Sequence, residues 1–172
     1  MQIIEVNNAQ TAQDFITVNV LMNKHNPAYI RPLDNDINDL FNPQKNKNYQ
    51  TGETNRWILK DEKGKLIGRI AAFANTKHIN KGTEFYTGGI GFFECINNQD
   101  AANTLFNTAK QWLQSKGCEA MDGPINFGDR DKWWGLLVEG FTDEPIYGMP
   151  FNPNYYEALF EAYGFKNYYN QY

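Results

Sequence analysis

The chain has 172 residues, 41% of them hydrophobic, with 26 aromatic side chains (12 Phe, 10 Tyr, 4 Trp) and a formal net charge of −4. That is enough apolar material for the core of a single domain spanning residues 1–172, and the acidic balance gives no electrostatic reason to expect nucleic acid or an anionic membrane as partner. No run of about 18 apolar residues is present, which excludes a transmembrane helix.

Met1-Gln-Ile-Ile-Glu-Val6 has neither a basic n-region nor an apolar h-region, so a cytoplasmic protein is expected. Residues 2–6 read as a strand. Thr11 is placed to cap a helix, with Asp14 three residues on and Phe15, Val18, Asn19 and Met22 at helical spacing. Asn26-Pro27 breaks it. Pro32 opens a shorter helix carrying Leu33, Ile37, Leu40 and Phe41, and residues 44–53 read as a polar surface loop. Arg56-Trp-Ile-Leu-Lys60 and the apolar run 65–74 flank Asp61-Glu-Lys-Gly64, the pattern of a hairpin. Residues 76–83 form a second polar loop.

The most patterned stretch comes next. Thr87-Gly-Gly-Ile-Gly-Phe-Phe-Glu-Cys-Ile96 reads as a strand. Ala101, Ala102, Leu105, Phe106, Ala109, Trp112 and Leu113 recur at helical spacing up to Lys116-Gly117, and 118–126 is a strand stopped by Gly123-Pro124. Strand, crossover helix and strand make a βαβ unit with parallel strands, and the mouth of such a unit is where small ligands and phosphates bind. The two cysteines, Cys95 and Cys118, lack Cys-x-x-Cys spacing and read as buried reduced thiols. With only His25 and His78 besides, no metal-ligand spacing, Cys–His nucleophile signature or Gly-x-Ser-x-Gly elbow is present, so no metal is expected.

Residues 127–172 are about a quarter of the chain yet hold 14 of the 26 aromatics. Within them 129–141 reads as a short element followed by a turn, and Met149-Pro-Phe-Asn-Pro-Asn154 as a second turn. Asn152 or Asn154 is available to cap a helix over 155–163 that Gly164 ends, and 166–172 reads as a last strand. There are no repeats and no flexible linker.

The order β-α-α-β-β-β-α-β-α-β resembles the GCN5-related N-acetyltransferase superfamily, GNAT for short. Ala158-Leu-Phe-Glu-Ala-Tyr-Gly-Phe165 is similar to the family's C-terminal motif, and 91–117 occupies the place of its acetyl-CoA motif. Phe92-Phe-Glu, Gly123-Pro-Ile-Asn-Phe, Gly135-Leu-Leu-Val-Glu-Gly-Phe and Asn154-Tyr-Tyr look like a divergent bacterial branch of GNAT-like proteins. The resemblance implies an α/β fold of the acyl-CoA N-acyltransferase type: a mixed sheet with a βαβ core and helices on both faces. It also implies acetyl-CoA or another acyl-CoA along Phe93, Cys95, Ile96, Asn98, Gln99, Ala101 and Ala102. Two positions depart from the family. Its phosphate loop carries a glycine where this chain has Asp100, a carboxylate that would itself cap the helix and meet an anion unfavourably. Phe160 stands where many members place a tyrosine that protonates the leaving thiolate, and phenylalanine has no proton to give. Tyr155, Tyr156 and Tyr163 are the neighbouring hydroxyls, with Tyr156 the catalytic candidate.

A pocket is expected where strands 87–96 and 118–126 splay. Glu94, a carboxylate inside an apolar strand, is a candidate general base towards an amine, or else it faces solvent or pairs with Arg69. Asp122 and Asn126 border the expected ligand edge, where Gly-Pro also serves simple turn formation. Arg130 and Trp133 would form a lid whose guanidinium meets a carboxylate or phosphate, or else a solvated charge cluster on a structural tryptophan. Tyr155 and Tyr156 are adjacent on a helix, so at most one looks into the site. Two functions are open on these residues. One is acyl transfer from acyl-CoA to a small amine. The other is a non-catalytic GNAT-fold binding module that has lost the pyrophosphate loop. One strand fits into 166–172 where the family fold has two, so the chain reads as a fragment or minimal form whose final edge pairs with a second copy, a homodimer.

Overall fold

The computed structural model describes residues 1–78, 85–128 and 130–171. In chain order the elements are β1 (Gln2–Glu5), α1 (Ala9–Asn23), α2 (Asp34–Leu40), β2 (Gly52–Lys60), β3 (Leu66–Asn75), β4 (Thr87–Cys95), α3 (Gln99–Ser115), β5 (Ala120–Asp122) and α4 (Tyr156–Tyr163). The five strands form one sheet in the order β1-β2-β3-β4-β5. The first four are antiparallel neighbours, and β5 runs parallel to β4 after the α3 crossover, as the βαβ pattern predicts.

Local chemistry sets the boundaries. Asn8, not Thr11, caps α1. The Asn8 side chain accepts from the Thr11 N–H at 2.9 Å, and the Thr11 hydroxyl accepts from the Asn8 N–H at 3.2 Å, a reciprocal capping box. Asn98, not Asp100, caps α3, accepting from the Ala101 N–H at 2.9 Å; Asp100 lies exposed in the first turn. Neither Asn152 nor Asn154 caps α4. Asn152 instead bridges both backbone groups of Leu137, accepting from its N–H at 2.8 Å and donating to its carbonyl at 3.1 Å. The β2/β3 turn is held by Asp61, whose carboxylate accepts from the Lys63 and Lys65 N–H groups at 2.9 Å.

β2 begins at Gly52, earlier than its apolar run. Its polar first half pairs with β3 alone, because β1 covers only Trp57 to Lys60, so that half forms an edge of the sheet. β5 is three residues rather than nine, and the described parts of 123–155 and 166–171 contain no helix or strand. The short element expected at 129–141 and the last strand are therefore irregular chain where described. Residue 129, residues 79–84 of the second polar loop and residue 172 lie outside the described residues.

Helices cover both faces. On one, α3 and α4 bury Leu105, Phe106, Leu113, Leu159 and Phe160 against Ile70, Ile90 and Phe93. Phe93 stacks on Phe106 at 4.6 Å between ring centroids, and Phe160 meets both edge-on at 5.0 and 4.8 Å. This cluster takes in Phe160, Tyr163 and Phe165 of the aromatic tail. On the other face α1 and α2 bury Phe15, Ile16 and Ile37 against Ile58, Ala71, Phe73 and Phe92. No helix among the described residues is long and apolar enough to cross a membrane.

Candidate active site

One irregularity in β4 creates the site. Arg69 pairs with Glu94 and Ala71 with Gly91, so β4 opposes the single residue Ile70 with two, Phe92 and Phe93, a β-bulge. Phe92 takes φ 51°, a left-handed conformation that non-glycine residues seldom adopt. Simple alternation from Ile90 would aim Phe92 and Glu94 into the α3 face. The extra residue instead sends Phe93 and Cys95 to that core and leaves Phe92 and Glu94 on the α1 side.

There Glu94 is 4% exposed and ringed by donors. Its Oε1 accepts from the Asn19 amide, and Arg69 Nη2 lies 3.5 Å from the same oxygen. Its Oε2 accepts from the Tyr156 hydroxyl at 2.7 Å and the Asn23 amide at 3.2 Å. Asn19 in turn accepts from the Tyr29 hydroxyl at 2.6 Å, and the Tyr156 oxygen accepts from the Cys95 N–H at 2.9 Å. Burial raises the Glu94 pKa, opposed by Arg69 and by the three neutral donors. Burial likewise lowers that of Arg69, which donates to the Phe15 carbonyl at 2.9 Å and stacks over the Phe15 ring. Both partners are pushed towards their neutral forms, so desolvation outweighs their attraction at 3.5 Å. The Tyr29 hydroxyl is pushed up to about 12, first by burial and then by Glu94.

Glu94 opens onto a cavity of about 90 Å³, several times the ~10–15 Å³ that one water-sized group requires. Its walls are Phe92, Trp133, Leu136 and Phe151, with Asn19, Tyr29 and Tyr156 beside the carboxylate. The cavity forms where β5 stops. Beyond Asp122 the chain turns at Gly123-Pro124 and lies along β4, with the Ile125 N–H donating to the Ile90 carbonyl at 2.7 Å. Gly91 permits this: a Cβ there would stand 1.7 Å from the Ile125 carbonyl oxygen.

Among the residues singled out in the sequence, Glu94, Tyr156, Phe93 and Trp133 line the cavity. Tyr155 does not; its hydroxyl donates to the Cys95 carbonyl at 2.7 Å, so the two adjacent tyrosines diverge. Asp122 is exposed at the end of β5. Asn126 is buried, its amide donating to the Lys132 carbonyl, and Arg130 is exposed, donating to the Tyr169 hydroxyl at 2.6 Å. These three stand outside the cavity lining. Asn23, Tyr29 and the wall residues 145–151 escape the sequence reading. Asn19 and Asn23 did carry a signal, being polar residues four apart on the buried face of α1.

The residues expected along an acyl-CoA lie at the end of β4 and the start of α3. The Asn98 side chain fills the Ala101 N–H, Gln99 donates to Asn103 and to the Leu159 carbonyl, and Asp100 presents a carboxylate. The Cys95, Ala101 and Ala102 side chains are fully buried, Phe93 is stacked in the core, and Ile96 packs against that core half-buried. The Cys95 N–H and carbonyl are both taken by tyrosine hydroxyls.

No family model matches the chain. It is 33% identical over 110 residues to Protein YghO of Escherichia coli (strain K12), covering 63% of this chain and 27% of that protein. It is 26% identical over 165 residues to the bacterial ceramide synthase of Caulobacter vibrioides (strain NA1000 / CB15N), covering 96% of this chain and 42% of that enzyme. The chain thus spans well under half the length of either curated relative. Among solved structures, AAC(6')-Iy in complex with the bisubstrate analogue CoA-S-monomethyl-acetylneamine superposes with a TM-score of 0.59 at 13% identity, over 99% of this chain and 94% of that one. With its mixed sheet, βαβ core and helices on both faces, the chain has the fold of the GNAT N-acetyltransferases.

Proposed function

We propose that this chain transfers an acyl group from an acyl thioester, an acyl-CoA, to the nitrogen of an amine, with Glu94 receiving the amine's proton. The observation that supports this most is a buried carboxylate, the only one among the described residues lining the cavity, at the floor of an apolar pocket on a GNAT sheet. An ammonium entering the cavity gives one proton to Glu94 and becomes a nucleophile. The C–N bond then forms at the acyl carbon as the C–S bond breaks, and the remaining N–H proton reaches the departing sulfur through water. The lone pair that Arg69 addresses only at 3.5 Å is the weakest-held position on the carboxylate, and the one the amine would use. Tyr156 fixes the other oxygen, and Phe92 and Trp133 wall the floor with apolar surface, where charge interactions are stronger than in solvent. The nucleotide half of the donor plays no part in these steps. The name ceramide synthase points the same way, a ceramide being an amide of a fatty acid with a long-chain base.

A second reading, a binding module without chemistry, is supported by the filled Ala101 N–H, by Asp100 and by the four donors saturating Glu94. Thermal unfolding with acetyl-CoA, CoA or pantetheine separates the two. A ligand at about 100 times its Kd stabilises by ~2.7 kcal/mol, and each kcal/mol is worth about 2–4 °C for a domain of this size. A shift with acetyl-CoA, followed by thiol release on adding an amine, supports acyl transfer. A cooperative melt unmoved by all three supports the binding module.

A further inference from the structure

The mouth of the cavity is more apolar than a soluble protein ordinarily leaves open to water. Ile146 is 81% exposed, and Ile30, Tyr147 and Met149 are each about half exposed, and all four line the cavity. Leu33, 62% exposed, adjoins them, its N–H donating to the Tyr147 hydroxyl at 3.3 Å. These residues come from two segments, 30–33 and 146–149, far apart in sequence and joined at the mouth by that bond. Scattered exposed apolar residues need no explanation, but a contiguous set at the rim of a pocket marks a ligand or partner surface. The pocket is therefore graded: carboxylate and amides at the floor, aromatic walls, and an exposed aliphatic rim.

We infer that the acceptor amine is amphiphilic, its nitrogen at Glu94 and its alkyl chain leaving along Ile30, Ile146 and Met149. This rests on the acyl-transfer reading for the role of the amine. The amine, rather than the acyl group, is assigned to this cavity because the carboxylate that complements an ammonium lies at its floor. The cavity of about 90 Å³ opens outward across Ile30, Ile146 and Met149, so a chain attached to a nitrogen at Glu94 leaves over the rim. Burying each methylene there strengthens binding, so affinity should rise with chain length.

The test titrates primary alkylamines of four, eight and twelve carbons, below their micellar concentrations, while following tryptophan fluorescence, since Trp133 lines the cavity. The same amines are then offered with an acyl-CoA and amide formation is read by mass spectrometry. The twelve-carbon amine should bind more than about tenfold tighter than the four-carbon one. The double variant Ile146→Ser/Met149→Ser should collapse that ratio, while Val138→Ser, an exposed residue outside the cavity lining, should leave it intact. Length-dependent binding without amide formation would sustain this inference and sink the acyl-transfer reading. Amide formation indifferent to amine length would do the reverse. The inference is also overturned if the double variant keeps the full ratio. It fails equally if phosphatidylcholine vesicles free of amine bind the protein and the double variant abolishes that, which would make the rim a membrane-contact surface.

Discussion

Replacing Glu94 with glutamine keeps the side chain's shape and removes its ionisation, and the structure fixes the sign of the effect on stability. The carboxylate's pKa is raised from its ordinary 4.5, chiefly by burial, even with Arg69 beside it. The folded protein then binds a proton more tightly than the unfolded chain does. Its stability contribution is complete below about pH 4.5 and is lost as pH rises through the folded pKa. The other titratable groups facing Glu94 do not titrate in this range: a guanidinium such as Arg69 from β3 does not lose its proton in a protein, and burial raises the hydroxyls of Tyr156 from α4 and Tyr29 from the loop after α1, so both stay neutral. At low pH the protonated acid and the amide are both neutral, the acid with one O–H donor and the amide with two N–H donors, so whatever difference remains between the two proteins should not vary with pH. Above about pH 4.5 Glu94→Gln should gain on the parent by no more than about 1.4 kcal/mol per pH unit, one proton's worth, until the folded pKa is passed. Urea unfolding of both proteins from about pH 4 to 8 measures the difference directly. A parent that instead gains on the variant as pH rises would mean that the Arg69 attraction defeats desolvation, and the electrostatic account of the site would be wrong.

Other outcomes are set by the packing. Gly91→Ala puts a Cβ against the Ile125 carbonyl, so the chain that walls the cavity must lift from β4; loss of more than ~3 kcal/mol or of soluble protein is expected, and a parent-like melting temperature would refute that close approach. Asn8→Ala removes the α1 cap and should cost about 1 kcal/mol, or about 2–4 °C, by calorimetry; no change would mean that Thr11 holds the helix end alone. Burial pushes the Cys95 thiol up to about 12, and that of Cys118 is also raised, so both should resist an aromatic disulfide reagent in the native protein and react in urea. Fast native labelling would contradict their packing.

The sequence carried the scaffold well where one pattern dominated. The alternation and turn chemistry of 56–74, and the helical spacing of 101–113 between two β-rich runs, are local signals that tertiary packing reinforces. Caps were less legible, since Asn8 and Thr11, or Asn98 and Asp100, are equally good capping types one turn or less apart, and backbone geometry chooses between them. Glu94 stood out as a charge in an apolar strand, but its direction did not, because a one-residue bulge at Phe92 reverses the alternation. Much of the rest of the cavity comes from the described parts of 124–152, irregular chain held by side-chain bonds such as Asn152 to Leu137 that leave no period to read.

The most direct test of Glu94 as the proton acceptor is amide formation by the parent and by Glu94→Gln, with an acyl-CoA and a dodecylamine acceptor, across about pH 5 to 9. The parent should form amide at a rate that rises with pH as Glu94 ionises, and the variant should lose about 10²–10⁴-fold, the usual worth of a positioned base. Equal rates from both proteins, or no amide from either at any pH, would contradict that role.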